Sequence, residues 1–129
     1  MRLLGPMTQA EVRELLARSD VFAAPCVEAP DGNLDGLPTV VLESMACGTP
    51  VVATAVSGLP EVVRDGETGV LLPPGSPEEL ARALGVIASG ATGTLELARS
   101  ARRLIEQQFD SRRQAAVLSG WQAPGRRGR

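Results

Sequence analysis

Asp35 and Glu43 are two carboxylates separated by seven residues in the stretch DGLPTVVLESMACGTPVVATAVSGLPE, residues 35–61. The chain around Glu43 is otherwise apolar: Val40, Val41, Leu42, Met45 and Ala46. A carboxylate in that setting is either the one wet position of a half-buried helix or a group aimed at a ligand. Both readings are open. If residues 38–47 are helical, their amino end offers free backbone N–H groups and a positive partial charge, which suit a phosphate. Pro38 has no N–H, so the donors would be Gly36, Leu37, Thr39 or Val40, and Gly36 lets the backbone come close to a ligand. Glu43 follows Thr39 by one helical turn on the same face. A ligand held by phosphate at the helix start would then present a vicinal diol, such as a ribose, to a carboxylate able to accept both hydroxyl protons. Plainer readings stand beside these. Asp35 is also an ordinary turn residue before Gly36, Glu61 suits the first turn of its own helix, and DGETG at residues 65–69 reads as a turn rather than a site.

The rest of the composition narrows the chemistry. There is no histidine, so the commonest general base and metal ligand is absent from these residues. All 13 basic residues are arginines, scattered without interleaved aromatics, and this argues against a nucleic-acid partner. QAPGRRGR, residues 122–129, reads as a disordered basic tail. Cys26 and Cys47 show no CxxC spacing and read as small core residues of a reducing compartment. No apolar run approaches membrane-spanning length, and a cytoplasmic protein is expected. With 129 residues, 43% of them hydrophobic, a single aliphatic core is within reach.

Periodicity supplies the elements that must position Asp35 and Glu43. In TQAEVRELLARS, Thr8 and Glu11 form a capping-box pattern, and Val12, Leu15 and Leu16 share one face. DVFAAPC reads as a short buried strand, followed by a loop from Val27 to Leu37. Pro38 opens the next helix at its first position and Gly48 closes it. PVVATAV and VLLP read as strands, with one or two helical turns between them. SPEELARALGVIA carries Ser76 as N-cap, Pro77 at the first position and Glu79 completing a box, with Leu80, Ala83, Leu84 and Ile87 as its stripe. TLELARSARRLIEQQF and SRRQAAVLSGW read as two further helices. Strands alternating with helices predict an α/β fold: a parallel, Rossmann-like sheet with flanking helices. Ligands of such sheets bind outside the carboxyl ends of the strands, where the loops beginning at Val27 and Val56 lie.

Together, the stretch from DVFAAPC through DGLPTVVLESMACGTPVVAT and SGLPEVVRDGETGVLLPPGSPEELARAL resembles the C-terminal part of retaining GT-B glycosyltransferases of the glycosyl transferases group 1 (family 4) type. The likeness runs from LGPMTQAEVRELLARSD to about FDSRR, with residues 1–121 expected to form part of a nucleotide-sugar-binding domain. It implies transfer of a sugar, with retention, from a UDP-sugar or GDP-sugar to an acceptor hydroxyl in polysaccharide or glycoconjugate synthesis. No metal or other cofactor is implied. The family's Glu-x7-Glu motif falls on Asp35 and Glu43. By resemblance, Glu43 binds the donor's ribose and Asp35, one methylene shorter than the family's residue, lies beside the transferred sugar. Gly36, Leu37, Thr39 and Val40 would surround diphosphate and sugar. The family binds its acceptor, a glycan or lipid-linked sugar, in an N-terminal domain, and holds the diphosphate with an Arg and a Lys from the first half of the C-terminal domain. This chain has no lysine, so it reads as a half-domain, inactive alone, working in the cytoplasm or at the inner face of the membrane. Its RLL, residues 2–4, corresponds in the family's order to an edge strand. Two other readings stay open: a stand-alone nucleotide-sugar-binding module, and an inactive remnant that self-associates through an exposed sheet edge.

Overall fold

The computed structural model describes residues 1–28, 38–91 and 93–109. A single parallel sheet organises them, built from β1 (Phe22–Ala24), β2 (Val51–Thr54) and β3 (Val70–Leu72) in the order β1-β2-β3. Phe22 pairs with Val51 and Ala24 with Ala53 on one side of β2, while Val52 pairs with Val70 and Thr54 with Leu72 on the other. The helices are α1 (Gln9–Arg18), α2 (Thr39–Ala46), the single turn α3 (Leu59–Val62), α4 (Pro77–Ala88) and α5 (Thr94–Leu104). A π-helical turn, Ile105–Phe109, continues α5. The expected α/β architecture with flanking helices is therefore present.

All four residues of β2 are buried. Successive side chains of a strand point to opposite faces, so both faces of the sheet are covered at its centre. One core gathers Val51, Ala53 and Ala24 from the sheet with Val41 and Met45 of α2, Leu59 and Val62 of α3, and Ala101, Leu104 and Ile105 beyond. Val52, fully buried, faces the other way, and α4 packs against β2 and β3. α2 lies against β1 and β2, with α1 and α5 packed on it. A hydroxyl ties α1 to this layer: Thr49 donates to the Leu16 carbonyl at 2.6 Å, and both residues are buried.

Local signals account for most element ends. Thr8 and Glu11 form the capping box in full: the Thr8 hydroxyl accepts from the Glu11 N–H at 3.2 Å and the Glu11 carboxylate from the Thr8 N–H at 2.7 Å. Gly48 ends α2 with φ +77°, a conformation that favours glycine. DGETG is a turn, as read. The Asp65 carboxylate accepts from the Leu71 N–H at 2.9 Å, and the buried Thr68 hydroxyl donates to the Val62 carbonyl at 2.5 Å.

Gly69 is required for another reason. A methyl group there would lie 2.8 Å from the Val51 carbonyl oxygen and 2.9 Å from Cγ1 of Val63. One partner is sheet backbone and cannot swing aside, so Gly69→Ala is expected to cost about 1–3 kcal/mol, the usual range for overpacking. A urea midpoint equal to that of the parent chain would refute this.

The sequence reading needs correction in three places. Ser76 precedes α4 but makes no side-chain cap hydrogen bond; its backbone (φ −120°, ψ 83°) differs from the extended form typical of capping residues. Pro77 does open that helix. Pro38 is the residue before α2 rather than its first, because ψ 131° keeps it extended. Residues 2–4 form no strand: they lie outside the three-stranded sheet, with Leu3 and Leu4 exposed. The helix read in SRRQAAVLSGW and the basic tail lie outside the described residues. No helix among the described residues is long and apolar enough to cross a membrane.

Candidate functional site

α2 is where the sequence places its chemistry, and its burial follows from its pattern. Val41, Ser44 and Met45 are fully buried and seat the helix in the core. Thr39 is exposed, and Val40 and Glu43 are half-buried on the helix flank. As a βα connection in a parallel sheet, α2 begins at the carboxyl end of β1, the end where such sheets bind ligands. Its amino end has no side-chain cap; the Val41 N–H reaches the Pro38 carbonyl at 3.1 Å. The remaining donors of the first turn have no partner within the helix.

Glu43 is the one charged residue of α2. Its backbone carbonyl accepts from the Cys47 N–H at 3.0 Å, but among the described residues no group donates to its carboxylate. A half-buried carboxylate without a donor can receive hydroxyl groups from a ligand. The structure thus brings Thr39, Val40 and Glu43 together on the first two turns of one helix. Asp35, Gly36 and Leu37 lie outside the described residues. Glu61 is exposed in the first turn of α3, as its plain reading had it. Cys26 and Cys47 are both free and half-buried, and Cys26 packs against the core.

At the start of α4, the carboxyl ends of the strands frame a crevice of about 170 Å³. Pro25 and Val27 follow β1, Thr54 and Leu72 end β2 and β3, and Ser76, Pro77 and Leu80 come from the start of α4. Two polar groups gave little sign in the sequence, Ser44 on α2 and Thr54 at the crevice. Among the described residues the buried Ser44 hydroxyl has no hydrogen-bond partner, a serine in an otherwise apolar helix face. The Thr54 hydroxyl donates to the Cys26 carbonyl at 2.6 Å. The only sequence signal for it is a polar residue ending an apolar strand.

A parallel sheet with flanking helices, one of them starting at the carboxyl edge of the sheet, defines a Rossmann-like α/β fold. Residues 1–90 match the family described as Glycosyl transferases group 1, and the chain belongs to that family. Among its relatives, the amylovoran biosynthesis glycosyltransferase AmsK of Erwinia amylovora is 33% identical over 110 residues, covering 85% of this chain and 27% of AmsK. Sucrose-phosphate synthase from Thermosynechococcus elongatus superposes with a TM-score of 0.82 at 28% identity, over 93% of this chain and 29% of that one. Anabaena Alr3699/HepE, solved in complex with UDP-glucose, superposes with a TM-score of 0.71 at 31% identity, over 87% of this chain and 30% of that one. The match thus spans between 14% and 28% of the length of the curated relatives, from an alpha-maltose-1-phosphate synthase to a colanic acid glycosyltransferase.

Proposed function

We propose that this chain carries the donor-binding part of a retaining glycosyltransferase, one that moves a sugar from a nucleotide diphosphate sugar to an acceptor hydroxyl in polysaccharide or glycoconjugate synthesis. The observation that carries the reading is Glu43, half-buried one turn inside α2 with no donor on its carboxylate among the described residues. Its two oxygens suit the two hydroxyls of a ribose. The uncapped start of α2, at Thr39 and Val40, suits the diphosphate. Asp35, eight residues before Glu43 in sequence, takes the sugar end, with Gly36 and Leu37 beside it in sequence. The named relatives support this: one acts in amylovoran biosynthesis and another was solved with UDP-glucose.

In the reaction proposed, the bond between the anomeric carbon and the β-phosphate oxygen breaks and the acceptor oxygen bonds to that carbon on the same face. The acceptor's proton passes to the departing diphosphate. This chain's part is to hold the donor and to stabilise the charge that develops on the leaving group. The test is a two-dimensional amide NMR spectrum of the chain, titrated separately with UDP and GDP. Saturable shifts centred on Thr39 to Glu43 are expected with one of the two nucleotides. A dispersed spectrum that neither nucleotide perturbs would sink the proposal.

A further inference from the structure

We propose that Asp65 is an edge guard: its carboxylate closes the outer edge of β3 against the addition of another strand. This goes beyond the donor-binding reading and does not depend on it. β3 is an edge of the described sheet, whose order is β1-β2-β3. An edge strand ordinarily presents a row of unpaired N–H and C=O groups, a template for a second chain. Main-chain groups of a parallel strand alternate between its two sides. Leu72 faces β2, since its carbonyl accepts from the Ala55 N–H at 2.8 Å. Leu71 therefore faces outward, as do Gly69 and Pro73 on either side of it. None of the three offers the usual pair of groups. The Leu71 N–H donates to Asp65 Oδ1 at 2.9 Å, and the Gly69 carbonyl accepts from the Gly66 N–H at 3.0 Å. Pro73 has no N–H.

The turn that carries Asp65 is seated by other groups. The buried Thr68 hydroxyl donates to the Val62 carbonyl and accepts from the Arg64 N–H at 2.9 Å. Gly66 has φ +74°, which favours glycine and lets its N–H turn back to Gly69. Asp65 itself is exposed, and its carboxylate is left to serve the edge. Main chain closes Gly69 and ring chemistry closes Pro73, but only a side chain closes the Leu71 N–H. That side chain is charged, so the carbonyl of an incoming strand would have to displace a better acceptor. The opposite edge differs. Phe22 faces β2, where its N–H reaches the Pro50 carbonyl at 2.8 Å, so Ala23 is the outward residue of β1. Among the described residues nothing pairs with it.

The experiment follows hydrogen exchange of the Leu71 amide by NMR in the full chain and its Asp65→Ala and Asp65→Asn variants. Each is measured over a series of concentrations, with sedimentation velocity alongside. In the parent, protection of Leu71 is expected to be independent of concentration, whether or not copies meet through β1. In Asp65→Ala it should fall about three- to tenfold in dilute solution, the scale of one hydrogen bond. It should then recover as concentration rises and larger species sediment, because a second copy takes the freed N–H. Asp65→Asn keeps an acceptor oxygen and should behave as the parent does. A residue that only shapes its turn would lose protection equally at every concentration, and that result overturns the proposal. So does unchanged protection in Asp65→Ala, or a concentration dependence as strong in Asp65→Asn. If Asp65→Ala does not fold, Asp65→Gly takes its place. Unfolding of both overturns the proposal, because the carboxylate then serves the fold as a whole.

Discussion

Glu43→Ala is expected to weaken binding of the cognate nucleotide by about 1.5–3 kcal/mol, roughly ten- to a hundredfold, the scale of hydrogen bonds to a charged group. The prediction is sharp because Glu43 has little else to do. It is half-buried, donates to nothing, and no group among the described residues donates to its carboxylate, so its removal breaks no internal pair. Alanine also has the higher helix propensity, so α2 should not weaken for local reasons. Stability near that of the parent with a large loss of affinity is the signature of a ligand-facing side chain. Calorimetric titration of the nucleotide into parent and variant checks it. Unchanged affinity in Glu43→Ala would return the residue to its plain role, the wet position of a half-buried helix. Asp35→Asn serves as a contrast: under the proposed division of labour it leaves nucleotide affinity nearly intact.

The elements that position Glu43 were legible because each is encoded locally. Thr8 and Glu11 are three residues apart and their capping box closes as read. Gly48 stops α2 with a left-handed backbone, and the unbroken apolar run of β2 is what a strand covered on both faces requires. The misread positions are those where the local signal competes with something else. Ser76 has the residue type of a cap and Glu79 follows at the right spacing, yet the backbone at Ser76 turns its hydroxyl away from that role. Pro38 was expected inside α2 and instead precedes it, since proline fixes φ but leaves ψ free to extend. The RLL segment corresponds in the family's order to an edge strand, but a strand exists only beside a neighbour, and the described sheet offers it none.

The candidate site divides in the same way. Glu43 is conspicuous in sequence because a charge among Val40, Val41, Leu42 and Met45 needs a reason. Thr54 gives no such sign, because its partner at Cys26 is 28 residues away and only the parallel register of β1 and β2 brings them together. Ser44 is a further case: buried next to Glu43 in the chain, its hydroxyl meets no partner among the described residues, which sequence spacing alone does not reveal. Local chemistry thus announces the residue proposed to meet a ligand, and long-range pairing hides those that hold the frame around it.

Met45 shows what that frame is worth. It is among the largest side chains with no exposure, on the face of α2 opposite to solvent, and it belongs to the core shared by the sheet, α3 and α5. Met45→Ala is expected to cost about 2–5 kcal/mol, the transfer term of the lost atoms plus the cavity left behind. Out of a total stability of about 5–15 kcal/mol for an ordinary domain, that is a large fraction. Met45→Leu conserves volume and should cost less than about 1.5 kcal/mol. Urea denaturation of the three chains tests the pair, and equal losses for alanine and leucine would show that shape rather than buried volume decides at this position. A second measurement ties stability to the site. At a temperature where Met45→Ala is still folded, its nucleotide affinity should stay near the parent value, because the side chain proposed to meet the ligand is Glu43 and the helix that bears it is intact. Loss of affinity in step with Glu43→Ala would instead mean that α2 shifts in its seat when the core beneath it is hollowed, and that Val41 alone cannot hold it.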